Sequence, residues 1–189
     1  SAVMDVKTNN FRLYGDANSA LVDIQLASQP GVLPEYDRAL LNRELDLFPD
    51  WYIARHRQAV LTDTQQTTLA KALDVIVAHN LQAPSVYVHR DFMTRNLMAP
   101  AEQGAPLGVL DFQDAVYGPI TYDIASLLRD AFISWEEEFV IDITVRYWEK
   151  ARKAGLLGAS SASGWGDDFG EFYRAVEWMG LQRHLKVAG

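Results

Sequence analysis

No cysteine occurs in the 189 residues of this chain. Disulfide scaffolds, thiolate zinc sites and cysteine nucleophiles are therefore excluded. Absent cysteine is compatible with the cytosol. Lysine is scarce: Lys7, Lys71, Lys150, Lys153 and Lys186 are scattered and form no cluster. Seventeen basic against twenty-five acidic residues leave a net charge of −8. Nonspecific nucleic-acid binding needs a basic footprint, so nucleic acid is not an expected partner. No apolar run approaches the ~18 residues a membrane helix requires, and Ser1 to Asn10 is too polar for a signal peptide. Internal repeats, a G-x-G-x-x-G pattern and a Walker pattern are also missing. Gly164 to Gly170 has glycines, but Asp167 and Asp168 would repel phosphate. His56, His79 and His184 lack H-x-x-x-H spacing, and Ser126 and Ser134 lack a G-x-S-x-G setting. Neither a zinc site nor a hydrolase triad is supported.

What remains is the composition of a globular domain. At 49% apolar and 22% charged, the chain can bury a core without staples. Its length suits one domain over residues 1–189, expected to be soluble and cytoplasmic.

Residues 1–15 give no clear pattern. Helices are expected at Asp16 to Gln29, where Leu21, Ile24 and Leu26 recur, and at Asp37 to Phe48. Pro49-Asp50 interrupts, and a short helix follows from Trp51 to Arg57. Thr62 to Asn80 reads as a helix with Thr62 or Asp63 as cap and a stripe of Leu69, Leu73, Ile76 and Val77. Val86–Val88, Asn96–Ala99 and Leu107–Leu110 look like short strands around a hairpin. Helices return at Thr121 to Phe132, Glu136 to Ala154 and Asp167 to Val187. Gly158 to Gly164 is a loop of small residues. The expected fold class is mainly α with a small β-hairpin element.

That β element is where the polar residues concentrate. His89-Arg90-Asp91-Phe92-Met93-Thr94-Arg95-Asn96 follows a β run and matches H-R-D-x-x-x-x-N, a phosphoryl-transfer catalytic loop. Asp91 would accept or orient the proton of an attacking hydroxyl. Asn96, five residues on, can fold back to coordinate Mg²⁺. Leu110-Asp111-Phe112 ends a later β run, where a carboxylate can hold Mg²⁺ against nucleotide phosphates. Magnesium prefers oxygen ligands, and an Asn–Asp pair supplies them. A hairpin between the two segments would bring Asn96 and Asp111 together.

The segment Val86 to Arg129 resembles the catalytic core of the aminoglycoside phosphotransferase family, relatives of choline kinase and protein kinases. Tyr122-Asp123-Ile124-Ala125-Ser126-Leu127-Leu128 adds to the likeness. It implies that Asp123 ties a helix to the catalytic loop, with capping as its local role. Leu110 to Pro119, Tyr122 to Asp130, Glu44 to Tyr52 and Met179 to Lys186 are similar to the bacterial amino-sugar kinases of cell-wall recycling. The resemblance implies an ATP- and Mg²⁺-dependent enzyme that phosphorylates the anomeric hydroxyl of N-acetylmuramate or N-acetylglucosamine. Asp91 would be catalytic. Asn96 and Asp111 would hold metal and nucleotide, and His89, Arg90 and Asp123 would support the site.

Departures sharpen the picture. Met93 stands where protein kinases usually carry lysine, Gln113 follows Phe112 where they carry glycine, and no A-P-E segment appears. Protein substrates are not expected. Aminoglycoside-modifying members more often carry glycine at the position of Arg90, which weakens an antibiotic-kinase reading. A nucleotide-clamping lobe is not found in the sequence: Lys7 lies in a polar stretch, not a V-A-I-K-like strand. The chain therefore reads as the C-lobe alone, truncated at both ends. Weak Mg-ATP binding and negligible turnover are expected of it in isolation. The rival reading is a non-catalytic fragment that self-associates through the exposed inter-lobe face.

Other side chains carry paired readings. Arg90 would pair with Asp111 or Asp114, or lie solvated. Asp114 steadies the metal site, binds substrate or is a turn carboxylate. Arg183 and His184 face an anionic sugar substituent or form a solvated helix face. No tryptophan is assigned as a ligand, because most aromatics of a helical lobe pack inside.

Overall fold

The computed structural model describes residues 2–100, 102, 105–130, 133–158 and 164–189. Part of the small-residue loop, part of the turn after Pro100 and the end of the expected helix near Phe132 lie outside the described residues. Among the described residues, six α-helices carry the architecture: α1 (Ala2–Leu26), α2 (Arg38–Leu45), α3 (Asp63–Asn80), α4 (Thr121–Leu128), α5 (Glu137–Lys153) and α6 (Phe169–Ala188). Four short strands form two antiparallel pairs: β1 (Ser85–Val88) with β4 (Val116–Pro119), and β2 (Leu97–Met98) with β3 (Gly108–Val109). The fold class is mainly α with a small β element. Among the described residues, no helix is long and apolar enough to cross a membrane.

Helix α4 is the centre. Every residue from Thr121 to Leu128 is buried, as expected of a helix surrounded on all sides. Helix α6 packs on it and buries Phe172, Ala175, Val176, Met179, Gln182 and Arg183. Helix α5 presents Val140, Ile143, Thr144, Tyr147, Trp148 and Ala151 at three- and four-residue spacing. Helix α1 lies along α5.

The first helix begins far earlier than the sequence pattern suggests, and its buried stripe runs in a different phase. Tyr14, Ala17, Asn18, Leu21, Val22 and Gln25 are buried, whereas Leu26 is exposed. Two members of the stripe are polar, and each is paired across the interface. Asn18 Nδ2 donates to the Ile143 carbonyl at 3.0 Å, and the Tyr147 hydroxyl donates to Gln25 Oε1 at 2.6 Å. Those bonds satisfy groups that would otherwise cost about 1–3 kcal/mol each on burial.

Helix α3 starts at a full capping box. Thr62 Oγ1 accepts from the Gln65 amide and Gln65 Oε1 accepts from the Thr62 amide. Pro49 does not end the helical run after α2. A π-helical segment spans Phe48–His56, with proline in its first turn, where no N–H is needed. Its wider winding stacks Phe48 on Tyr52 and Tyr52 on His56.

Strand β4 was not expected from the sequence. It pairs with β1 in the register Val86↔Gly118 and Val88↔Val116. The stretch before α2 joins its other side, where Tyr36 N–H donates to the Tyr117 carbonyl at 2.8 Å and Tyr117 N–H donates to the Pro34 carbonyl at 2.7 Å. Gly118 permits this close approach. A Cβ there would sit 2.5 Å from the Tyr36 Cβ.

Candidate active site

Strand β1 ends at Val88, and the next two residues turn sharply. Arg90 has φ +73°, a left-handed conformation that a residue with a Cβ reaches at a cost of about 1–2 kcal/mol. The turn is held from below by Asp123. Its carboxylate accepts from His89 N–H at 2.7 Å and from Arg90 N–H at 3.0 Å. The Arg90 carbonyl accepts from Arg183 at 3.3 Å. Asp123 does not cap α4. It lies within that helix and points at the loop after β1, and no side-chain cap bond is made at Ile120. Burial pushes the Asp123 carboxyl up to about 7, against the pull of the two amides and of Arg183.

The His89 ring is buried and meets Phe92 edge-on, centroids 5.9 Å apart. Burial lowers its pKa below the ordinary histidine value, outweighing the opposing Leu110 carbonyl, Asp91 and Asp111. The ring is thus mainly neutral at pH 7.

Phe92 and Met93 are buried and anchor the loop. Beyond them the chain folds back in a single 3₁₀ turn, Thr94–Asn96. Asn96 Nδ2 donates to the Asp91 carbonyl at 2.8 Å. With the amide nitrogen donating there, the side-chain oxygen is the atom that would coordinate a cation. The β2–β3 register Leu97↔Val109 and the Leu110 N–H bond to the Asn96 carbonyl at 2.9 Å then set Asp111 beside Asn96. Asp111 itself has φ +70°, and Gln113 Nε2 donates to its Oδ1 at 2.6 Å. Asp111, Phe112 and Asp114 are exposed, as are Met98 and Leu110.

The structure therefore brings Asp91, Asn96 and Asp111 to one edge of the molecule, with His89, Arg90 and Asp123 behind them. Among the described residues no group of three or more His, Cys, Asp or Glu gathers as a metal cage. One amide oxygen and one carboxylate fit Mg²⁺, which usually takes one or two protein ligands and completes its shell with phosphate and water.

Arg90 pairs with neither Asp111 nor Asp114. Its guanidinium reaches Glu44 of α2 at 2.7 Å. Glu44 is buried and also receives Lys186 of α6 at 2.9 Å and the Tyr36 hydroxyl. Burial alone would raise the Glu44 carboxyl, but Lys186, Tyr36 and Arg90 together hold it below its ordinary value. Arg183 is not a solvated face residue. It is buried, with its guanidinium 4.8 Å over the Tyr122 ring. His184 is exposed and bonds the Arg129 carbonyl at 3.0 Å.

Glu44, Lys186 and Tyr36 escaped sequence reasoning as members of one cluster. A signal was present in helical spacing. Glu44 stands among buried Leu41 and Leu45, and Lys186 continues the Met179, Gln182, Arg183 face of α6. A charge on a core-facing stripe implies a buried partner.

The chain matches the model of the phosphotransferase enzyme family over residues 4–157. It belongs to that family. The N-acetylmuramate/N-acetylglucosamine kinase of Neisseria meningitidis serogroup B is 55% identical over 97% of this chain and 52% of its own length. The Pseudomonas aeruginosa protein of the same name is 46% identical over 96% of this chain and 51% of its own. The chain thus spans about half the length of the curated relatives it matches. Among solved structures, ADP-bound aminoglycoside phosphotransferase APH(2'')-Ib superposes with a TM-score of 0.54 at 19% identity, covering 92% of this chain and 64% of that one. At that identity the likeness speaks for the phosphotransferase fold alone.

Proposed function

We propose that this chain carries the catalytic loop and metal-holding residues of an ATP- and Mg²⁺-dependent sugar kinase. Its acceptor is the anomeric hydroxyl of N-acetylmuramate or N-acetylglucosamine, and its setting is the cytoplasm, where ATP is supplied. The observation that carries this reading is the meeting of Asp91, Asn96 and Asp111 at one edge through the β2–β3 register. The names of the relatives support the acceptor.

Asp91 accepts the proton of the acceptor hydroxyl as that oxygen forms its bond to the γ-phosphorus. The bond to the β-phosphate bridging oxygen breaks and ADP leaves. Asn96 and Asp111 would hold Mg²⁺, which when bound neutralises charge on the phosphates. Asp123 keeps the loop amides paired, and His89 packs behind the loop against Phe92.

The test is a chimera in which this chain replaces the segment it matches in the Neisseria meningitidis relative. Phosphorus NMR with Mg-ATP and each sugar should show a sugar 1-phosphate. Asp91→Asn should lower turnover ~10²–10⁴-fold, the usual scale of acid–base contributions. No product with either sugar removes the acceptor assignment, and an Asp91→Asn chimera at full rate removes the role of Asp91.

A further inference from the structure

Arg90 stands at φ +73°, where glycine would sit without strain. A long, charged side chain at such a position is retained at a cost, and its guanidinium shows where it is used. It runs to Glu44, while its Nε is buried and unpartnered. The Glu44 contact therefore sets its orientation. Glu44 is itself 5% exposed, a burial that disfavours a charge unless it is paired. Both its oxygens are taken: one by Arg90 and Lys186, the other by the Tyr36 hydroxyl. Gln182 and Asn80 extend the chain of bonds, with Gln182 donating to the Tyr36 hydroxyl at 3.3 Å and Asn80 to Gln182 at 2.7 Å. Three of the carboxylate's roughly four lone-pair sites are thus occupied, and its burial keeps it from a substrate. It can act only through what it holds.

The residue it holds immediately precedes Asp91. The other handles on Arg90 are backbone ones. Asp123 takes its N–H, and Arg183 and Ser126 bond its carbonyl. Those come from α4 and α6. Glu44 ties this turn to α2.

We propose that Glu44 is a positioning residue for the catalytic loop: by clamping the Arg90 guanidinium it fixes the left-handed turn that aims Asp91. This rests on the kinase reading above. Lys186 and Tyr36 keep the clamp ionised and in place, so α2 and α6 are coupled to the proton-accepting group without touching it.

The chimera tests this with E44Q, R90M, R90G and the double variant E44Q/R90M. E44Q should lower kcat about 10–100-fold, the scale of a small misplacement of a reacting group, with KM for Mg-ATP unchanged. R90G keeps a residue at ease in the left-handed turn yet removes the clamp, so it should lose kcat to the same degree and remain folded. E44Q/R90M should be no worse than the poorer single variant, since both act through one contact. In the 189-residue chain, hydrogen exchange at the His89 and Arg90 amides should quicken in E44Q while amides of α5 stay unchanged. Full kcat in E44Q or R90G, or additive losses in the double variant, overturns the proposal. A wild-type chimera inactive on both sugars counts against the acceptor assignment above and not against the clamp. Exchange then decides the clamp, and unchanged exchange at His89 and Arg90 rejects it.

Discussion

Asp123 and Asp111 lie on the same short stretch of chain in opposite surroundings. Asp123 is fully buried, accepts two backbone amides and sits on a helix enclosed on every side. Asp111 is exposed, follows a two-residue strand and adopts φ +70°. The candidate site thus has a closed back, at the loop between β1 and β2, and an open front that includes the end of β3. The back is over-determined: Asp123, Glu44, Arg183 and Ser126 all fix one dipeptide. The front is held by two residue pairs of ladder and a few short-range bonds. Division of this kind suits phosphoryl transfer, in which the proton acceptor must be aimed while the metal ligands must admit a large anionic ligand.

Substitution at the back should break this contrast most strongly. Asp123→Ala leaves the His89 and Arg90 amides without their acceptor, at about 1–3 kcal/mol for each buried donor. A clear drop in melting temperature of the 189-residue chain is expected, and an unchanged melt would mean the two bonds are replaceable. A smaller effect should appear in acid. The Glu44 carboxyl is held below its ordinary value of 4.5, so its contribution to stability is present above that pH and is lost as pH falls through the folded value. Denaturant titrations below pH 4.5 should show a steeper loss in the wild type than in Glu44→Gln. Parallel curves would show that Glu44 titrates alike in folded and unfolded chains. The smallest stability effect belongs to the front. Asp111→Asn should change stability by less than about 0.5 kcal/mol, as for most surface substitutions, yet abolish Mg²⁺-dependent transfer in the chimera. A large loss of stability would make Asp111 a structural residue.

The front of the site was legible in the sequence because chemistry dictates both the residue types and their spacing from Asp91 to Asn96 and at Asp111. The back was legible only in part. Asp123 could be tied to the loop by resemblance, but Glu44, Lys186 and Arg183 are recognised by three-dimensional partners their local sequence does not name. Helices α3, α5 and α6 stand close to their expected limits. Helix α1 does not, because its first half carries no clear apolar periodicity, and further along its buried stripe includes Asn18 and Gln25, whose partners lie on α5. Strand β4 was hidden for a related reason. Gly118 and Pro119 usually mark a turn, and the requirement for Gly118 comes from Tyr36, far away in the chain.

The bonds between Pro34, Tyr36 and Tyr117 close a loop of roughly 80 residues, a separation that slows folding more than it weakens the folded state. During synthesis at ~5–20 residues per second, Tyr36 waits several seconds for its strand partner, and Glu44 waits longer still for Lys186. The buried back of the loop after β1 is therefore a late product of synthesis, completed from segments that leave the ribosome far apart in time.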